Sequence, residues 1–229
     1  MTPAPAVIAI DGPASSGKST LGQKLAVELG YLYFDTGCLY RAVTVAALQR
    51  GLPLTDAAAM ARLAAALDIC VKPPNVKDGR QYTVLVDAMD VTWELRTPQT
   101  DASVSVVSAF PEVRRTLTDH MRAIARSGSV VMVGRDIGTV VLPDAPLKIY
   151  LDAGVDERAR RRHAEILARG ERSDYGEVLE AMHIRDRTDS ARKAAPLRAA
   201  PDAHVIDTTG MEPERALAEI ESIVQQHST

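Results

Sequence analysis

The chain has 229 residues, of which 46% are hydrophobic and 25% charged, with a formal net charge of −3. That composition fits one globular domain carrying inserted subdomains and excludes a mainly disordered chain. No overall basic excess marks a general nucleic-acid binder, and no stretch approaches the roughly 18 apolar residues of a membrane span.

Residues 1–5 carry no basic side chain, and the apolar run 6–10 is too short for a signal-peptide core and ends at Asp11, so a soluble cytoplasmic protein is expected. The two cysteines, Cys38 and Cys70, show neither metal spacing nor a disulfide framework, which suits a reducing compartment.

Residues 6–10 read as a buried strand. Gly12, Pro13, Ala14, Ser15, Ser16, Gly17, Lys18 and Ser19 then fit the phosphate-loop pattern G-x-x-x-x-G-K-[ST], with Thr20 following. Leu21, Leu25, Ala26 and Leu29 recur at helical spacing and Gly30 suits the stop. A strand before and a helix after are the context such a loop requires. Its glycines let backbone N–H groups turn toward phosphate oxygens, and the helix N-terminus adds positive potential. Lys18 can reach the β- and γ-phosphates of a nucleotide, and the Ser19 hydroxyl can help hold Mg²⁺.

Residues 31–35 read as a second strand, 40–49 as a helix closed by Gly51, and 56–67 as an alanine-rich helix. Arg41, just past the second strand, can pair with a phosphate as a planar fork. Short strand-like runs at 69–72, 80–87 and 91–94 look like a small antiparallel insert. Asn75, Val76, Lys77 and Asp78 do not match the guanine motif of GTPases, because the lysine is misplaced, and they read as a solvated turn. Residues 103–109 alternate serine and valine and are ambiguous. Pro111 suits a first helical position, with Val113, Leu117, Met121 and Ile124 as the apolar stripe.

Strands return at 130–133 and 147–151, and helices follow at 155–169 and about 176–188. Arg135 and Asp136 follow a strand and would point into the ligand crevice of an open α/β sheet. Asp136 can serve Mg²⁺ from a second sphere, accept from a substrate amine, or cap a helix. Arg158, Arg161 and Arg162 share one helix face, with Arg160 opposite. Such a face is either solvated or able to neutralise a transferring phosphoryl group. Arg185, Asp189 and Arg192 share another face, as an ion-paired stripe or as two guanidiniums oriented by a carboxylate. A strand at 204–207 and an amphipathic helix on Ala216, Leu217, Ile220, Ile223 and Val224 end the pattern. Strands alternating with helices imply an α/β fold with a mainly parallel sheet.

Taken together these segments resemble the bacterial cytidylate kinases almost from end to end. The resemblance rests on residues 8–20, Asp35-Thr-Gly-x-x-Tyr-Arg41, Phe110-Pro-x-Val-Arg114, Gly134-Arg-Asp-Ile-Gly-Thr-Val-Val141, and 185–192 ahead of Ala195-Pro-Leu197. It implies the nucleoside monophosphate kinase fold. The phosphate-loop core would take 1–35, 110–153 and 176–229, a monophosphate-binding region with a β insert 36–109, and a short lid 154–175. It implies ATP on residues 12–20 with Mg²⁺, and CMP or dCMP as acceptor. Cytosine recognition would fall on Thr36, Ser105, Arg114 and Asp136, with Tyr40 also at the substrate. The acceptor phosphate would meet Arg41, Arg135 and Arg192, and the sugar hydroxyls Arg185 and Asp189. Lys18, Arg135, Arg158 and Arg162 would serve the transfer itself, with Arg161 beside them.

Three positions depart from the family pattern. Thr36 replaces serine but keeps the hydroxyl. Cys38 stands where alanine is common and is expected only to pack. Val133 stands where aspartate is frequent, so a metal role for that aspartate is lost. The expected protein is a monomer acting on small molecules, with no nucleic-acid polymer or membrane as partner. Two readings compete with it: a kinase for another monophosphate or small metabolite, and a nucleotide-dependent binding switch. Against them stand the missing guanine motif and the missing Asp-Gly-Phe-Pro-Arg of adenylate kinases.

Overall fold

A computed structural model describes residues 4–192 and 195–228. Residues 1–3, read above as lacking targeting features, lie outside the described residues. The chain forms two compact units, Met1–Tyr31 with Ser129–Thr229, and Leu32–Gly128.

The first unit opens with β1 (Val7–Asp11) and α1 (Lys18–Leu29). The chain then builds the second unit from β2 (Leu32–Asp35), α2 (Gly37–Gln49), α3 (Ala57–Ala66), β3 (Ile69–Lys72), β4 (Thr83–Val86), β5 (Met89–Asp90), α4 (Pro98–Val107) and α5 (Pro111–Arg126). It returns to the first unit through β6 (Val130–Gly134), a π-helical turn at Ile137–Val141, β7 (Leu147–Asp152), α6 (Val155–Ala168), α7 (Tyr175–Ser190), β8 (His204–Asp207) and α8 (Pro213–Gln226).

In the first unit the strands run β6-β1-β7-β8, all parallel. Ile8, Ala9, Ile10, Val130, Val131, Met132, Leu147, Ile149 and Leu151 are buried. Both faces of these strands are therefore covered, which is why β1 and β6 are continuous apolar runs rather than alternating ones. Parallel order brings the carboxyl ends of β1, β6, β7 and β8 to one edge, and the loops that leave them carry most of the candidate chemistry.

The second unit is built around α2, in which nine of thirteen residues are buried. It packs against α3, α4 and β4, and α3 packs against α5. The sequence-based division set a monophosphate-binding region at 36–109 and a lid at 154–175 apart by resemblance, whereas packing groups 32–128, in which α3 packs against α5.

The ambiguous stretch at 103–109 lies mostly in α4. Pro98 occupies its first turn and the Thr97 hydroxyl accepts from Thr100 N–H at 3.3 Å, so the helix starts on a cap and a proline. The expected strands at 80–87 and 91–94 are shorter and shifted. Asp87 and Ala88 have positive φ (49° and 67°) and form a tight hairpin turn between β4 and β5. Thr92 Oγ1 then accepts from Val84 N–H at 3.0 Å and ends the pairing, and a 3-10 turn follows at Glu94–Arg96. Residues 74–79 are exposed, as expected for a solvated turn.

Candidate active site

The phosphate loop joins β1 to α1. Gly12 has φ +148°, and a Cβ there would lie 2.0 Å from the Leu151 carbonyl oxygen and 3.0 Å from Ser16 Oγ. Only glycine lets the loop pass that close to β7. Gly17, at φ +94°, caps α1 without any side-chain hydrogen bond, so the first-turn N–H groups are not taken by a side-chain cap. Lys18 is buried, and its Nζ donates to the Pro13 carbonyl and to Ser16 Oγ (3.3 Å), which folds the ammonium over the loop. Ser19 is exposed on the first turn of α1. A helix N-terminus without a side-chain cap and a lysine ammonium thus meet at one loop, a combination that can hold an anion.

Two carboxylates three apart on α7 fix two arginines against this loop. Asp189, with 3% side-chain exposure, accepts from Arg135 Nε at 2.7 Å and from Arg192. Arg135 also lies 3.3 Å from the Gly12 carbonyl oxygen. Burial pushes the Asp189 carboxyl upward, but Arg135 and Arg192 outweigh that and hold it below the ordinary carboxylate value. Asp186 pairs with Arg158 (2.5 and 3.1 Å), and Arg158 also donates to Ala153 O (2.8 Å) and Ala14 O (3.4 Å). Arg158 is therefore not on a solvated face: it is 4% exposed and touches the phosphate loop. Arg161 pairs with Glu157 and donates to Thr208 O at 2.5 Å. Arg162 pairs with Glu165 at 2.9 Å, and Arg160 pairs with Glu157.

Asp11 was not singled out in the sequence, yet it organises the 134–141 segment. Its two oxygens accept from Ile137 N–H (2.8 Å) and Gly138 N–H (2.7 Å), which sets the π-helical turn. Burial pushes its carboxyl up to about 6; those two hydrogen bonds and Lys18 oppose the rise, and neighbouring Asp136 adds to it. Asp136 is buried and occupies the N-cap position of that turn, where its backbone carbonyl accepts from Val140 and Val141 N–H while its side chain makes no capping hydrogen bond.

In the second unit Thr36 and Tyr40 are buried at the start of α2. The Arg114 guanidinium lies 5.3 Å from the Tyr40 ring centroid and 3.3 Å from Ser108 O. Arg41 is held by Asp101 (2.6 Å) and Leu95 O (2.7 Å). Ser105 is exposed on α4, and Cys38 is fully buried, with its thiol pushed up chiefly by burial, as a packing residue would be.

Sequence reasoning missed Asp11, Asp101 and Asp186. The signal for Asp186 was its three-residue spacing from Asp189, which puts both on one helix face. Among the described residues no group of three or more His, Cys, Asp or Glu could hold a metal ion. Ser19, exposed on the first turn of α1, is the hydroxyl that the sequence pattern offers to Mg²⁺. No helix among the described residues is long and apolar enough to cross a membrane.

A family model described as cytidylate kinase matches residues 8–226. A cytidylate kinase of Herpetosiphon aurantiacus is 52% identical over 220 residues, covering 96% of this chain and 94% of that protein. One from Roseiflexus castenholzii is 52% identical over 216 residues, covering 94% and 91%. Among solved structures, an uncharacterized protein from Eubacterium ventriosum aligns with a TM-score of 0.53 at 14% identity, covering 96% of this chain and 98% of that one, which is a likeness of fold.

Proposed function

The chain belongs to the cytidylate kinase family, and from that premise we propose that it transfers the γ-phosphoryl group of ATP to CMP and dCMP, giving CDP and dCDP. The observation that carries this reading is the contact of Arg135 and Arg158 with carbonyls of the phosphate loop, Gly12 O and Ala14 O. Two guanidiniums fixed by buried salt bridges at a nucleotide-phosphate cradle suit the movement of a phosphoryl group between two phosphates.

In the proposed reaction an oxygen of the acceptor's monophosphate attacks the γ-phosphorus and ADP leaves. A phosphate monoester is already largely dianionic at neutral pH, because its second pKa is about 6, so no general base is needed. The chain's task is alignment and charge neutralisation. The loop N–H groups and Lys18 hold the donor phosphates, and Lys18 exchanges its Pro13 contact for phosphate oxygens. Arg135 and Arg192, oriented by Asp189, hold the acceptor phosphate, with Arg41 assigned the same role in its own unit. Arg158 and Arg162 act on the transferring group from the 154–175 lid. Mg²⁺ held with Ser19 neutralises charge on the donor phosphates when bound. Thr36, Tyr40, Ser105, Arg114 and Asp136 are assigned to the acceptor nucleoside, and Arg185 and Asp189 to its sugar hydroxyls. The protein acts as a cytoplasmic monomer in this account.

The test is a coupled assay of ADP release with ATP, Mg²⁺ and a panel of CMP, dCMP, UMP, AMP and GMP. CMP and dCMP should give the highest kcat/KM. A clear preference for AMP or GMP would overturn the assignment.

A further inference from the structure

His204 opens β8 and His227 caps the C-terminus of α8. Their Nε2 atoms lie 3.3 Å apart. The ring centroids are farther apart, at 4.8 Å, with planes crossing at 81°. The nitrogens are closer than the rings, so the two Nε2 atoms face each other. His227 Nδ1 lies 2.9 Å from Ile223 O, a carbonyl that can only accept. The proton of the neutral ring therefore sits on Nδ1, and Nε2 presents its lone pair.

Two imidazole nitrogens bound about 2.0–2.1 Å from one tetrahedral ion lie roughly 3.3–3.4 Å apart, which is the spacing observed. Without a metal, the His204 Nε2–H can donate to that lone pair, and an ion would take the place of this proton. A ligating histidine whose other nitrogen donates to a backbone carbonyl is also the usual outer-shell arrangement. Both rings are half-buried, so water can reach the open coordination positions.

We propose that His204 and His227 form a two-imidazole site for a Zn²⁺-class divalent cation, with water completing the coordination. Imidazole favours late first-row ions, whereas Mg²⁺ favours oxygen, so the metal of the nucleotide does not compete for it. The site is separate from the phosphate loop. His204 begins β8, whereas Thr208, whose Oγ1 lies 3.3 Å from Ser16 O, follows its other end. A bound ion joins the last turn of α8 to β8 and favours the folded state by mass action.

The test uses the metal-free full chain without nucleotide, titrated with ZnCl₂ in thermal unfolding and in calorimetry. One ion per chain should bind, and Tm should rise by about 5 °C or more at a hundredfold excess over Kd. MgCl₂ should give no such shift. His204→Gln and His227→Gln should each abolish the shift and the binding while keeping kinase activity in Mg²⁺. No binding to the wild type, or binding that survives in either variant, would overturn the proposal.

Discussion

Asp189→Asn tests whether one buried carboxylate organises the arginines beside the phosphate loop. Asparagine keeps the shape but removes the charge, and its amide NH₂ faces a guanidinium that needs an acceptor. Removing one partner of a buried ion pair costs about 3–5 kcal/mol. Arg135 and Arg192 keep 19% and 18% of their side-chain surface exposed, so the lower end applies. For a chain of this size a loss of about 3 kcal/mol lowers Tm by roughly 6–12 °C. The carboxyl lies below its ordinary value in the folded protein. Its stabilisation is therefore complete above the unfolded value of about 3.9 and is lost only as pH falls through the lower folded value. Circular dichroism melts of both proteins should show a constant difference from pH 7 to pH 5 and a shrinking one only at more acidic pH. Acceptor KM should rise as Arg135 and Arg192 lose their orientation. Equal Tm values at pH 7, or a difference that widens as pH falls from 6 to 5, would refute the reasoning, the second by showing that burial outweighs the arginines.

Lys18→Ala should lower kcat on the order of 10²-fold or more, because the ammonium is placed to stabilise charge on the transferring group; a raised KM for ATP with unchanged kcat would show uniform binding instead. Asp11 has its carboxyl raised to about 6, so its contribution to stability is present below the unfolded value and is lost as pH rises through about 6. Urea unfolding should show wild type losing about 2 kcal/mol relative to Asp11→Asn between pH 4 and pH 7, and parallel pH profiles would contradict this.

The phosphate loop was legible because its requirements are local: a strand, glycines, a lysine and a helix start within one continuous stretch. Arg135, Asp189 and Arg192 were legible as candidates, since charged residues after a strand or on one helix face are visible in the sequence. Their pairing was not. Arg158 could be read as part of a solvated face because Asp186, which buries it, lies 28 residues away. Asp11 gave no signal because its acceptors' partners, Ile137 and Gly138, lie 126 and 127 residues on. In α4 the serine–valine alternation hid a helix that Thr97 and Pro98 announce at its start. In the β insert the turn at Asp87 and Ala88 was missed because neither residue is a glycine. Local chemistry can be read along the chain, whereas the partner that fixes a charge is set by tertiary packing.

Selection of cytosine over uracil by this family member is read in the CMP-over-UMP ratio of kcat/KM for wild type and Asp136→Asn. Asp136 is buried, and its side chain makes no capping hydrogen bond to the turn it begins. An ionised carboxylate only accepts, so it favours the 4-amino group of cytosine over the carbonyl of uracil, and an unpaired buried polar group is the strong route to discrimination. The ratio should be high in the wild type and much narrower in Asp136→Asn, chiefly through lost CMP activity. An unchanged ratio with both activities falling equally would contradict it and make Asp136 a structural residue.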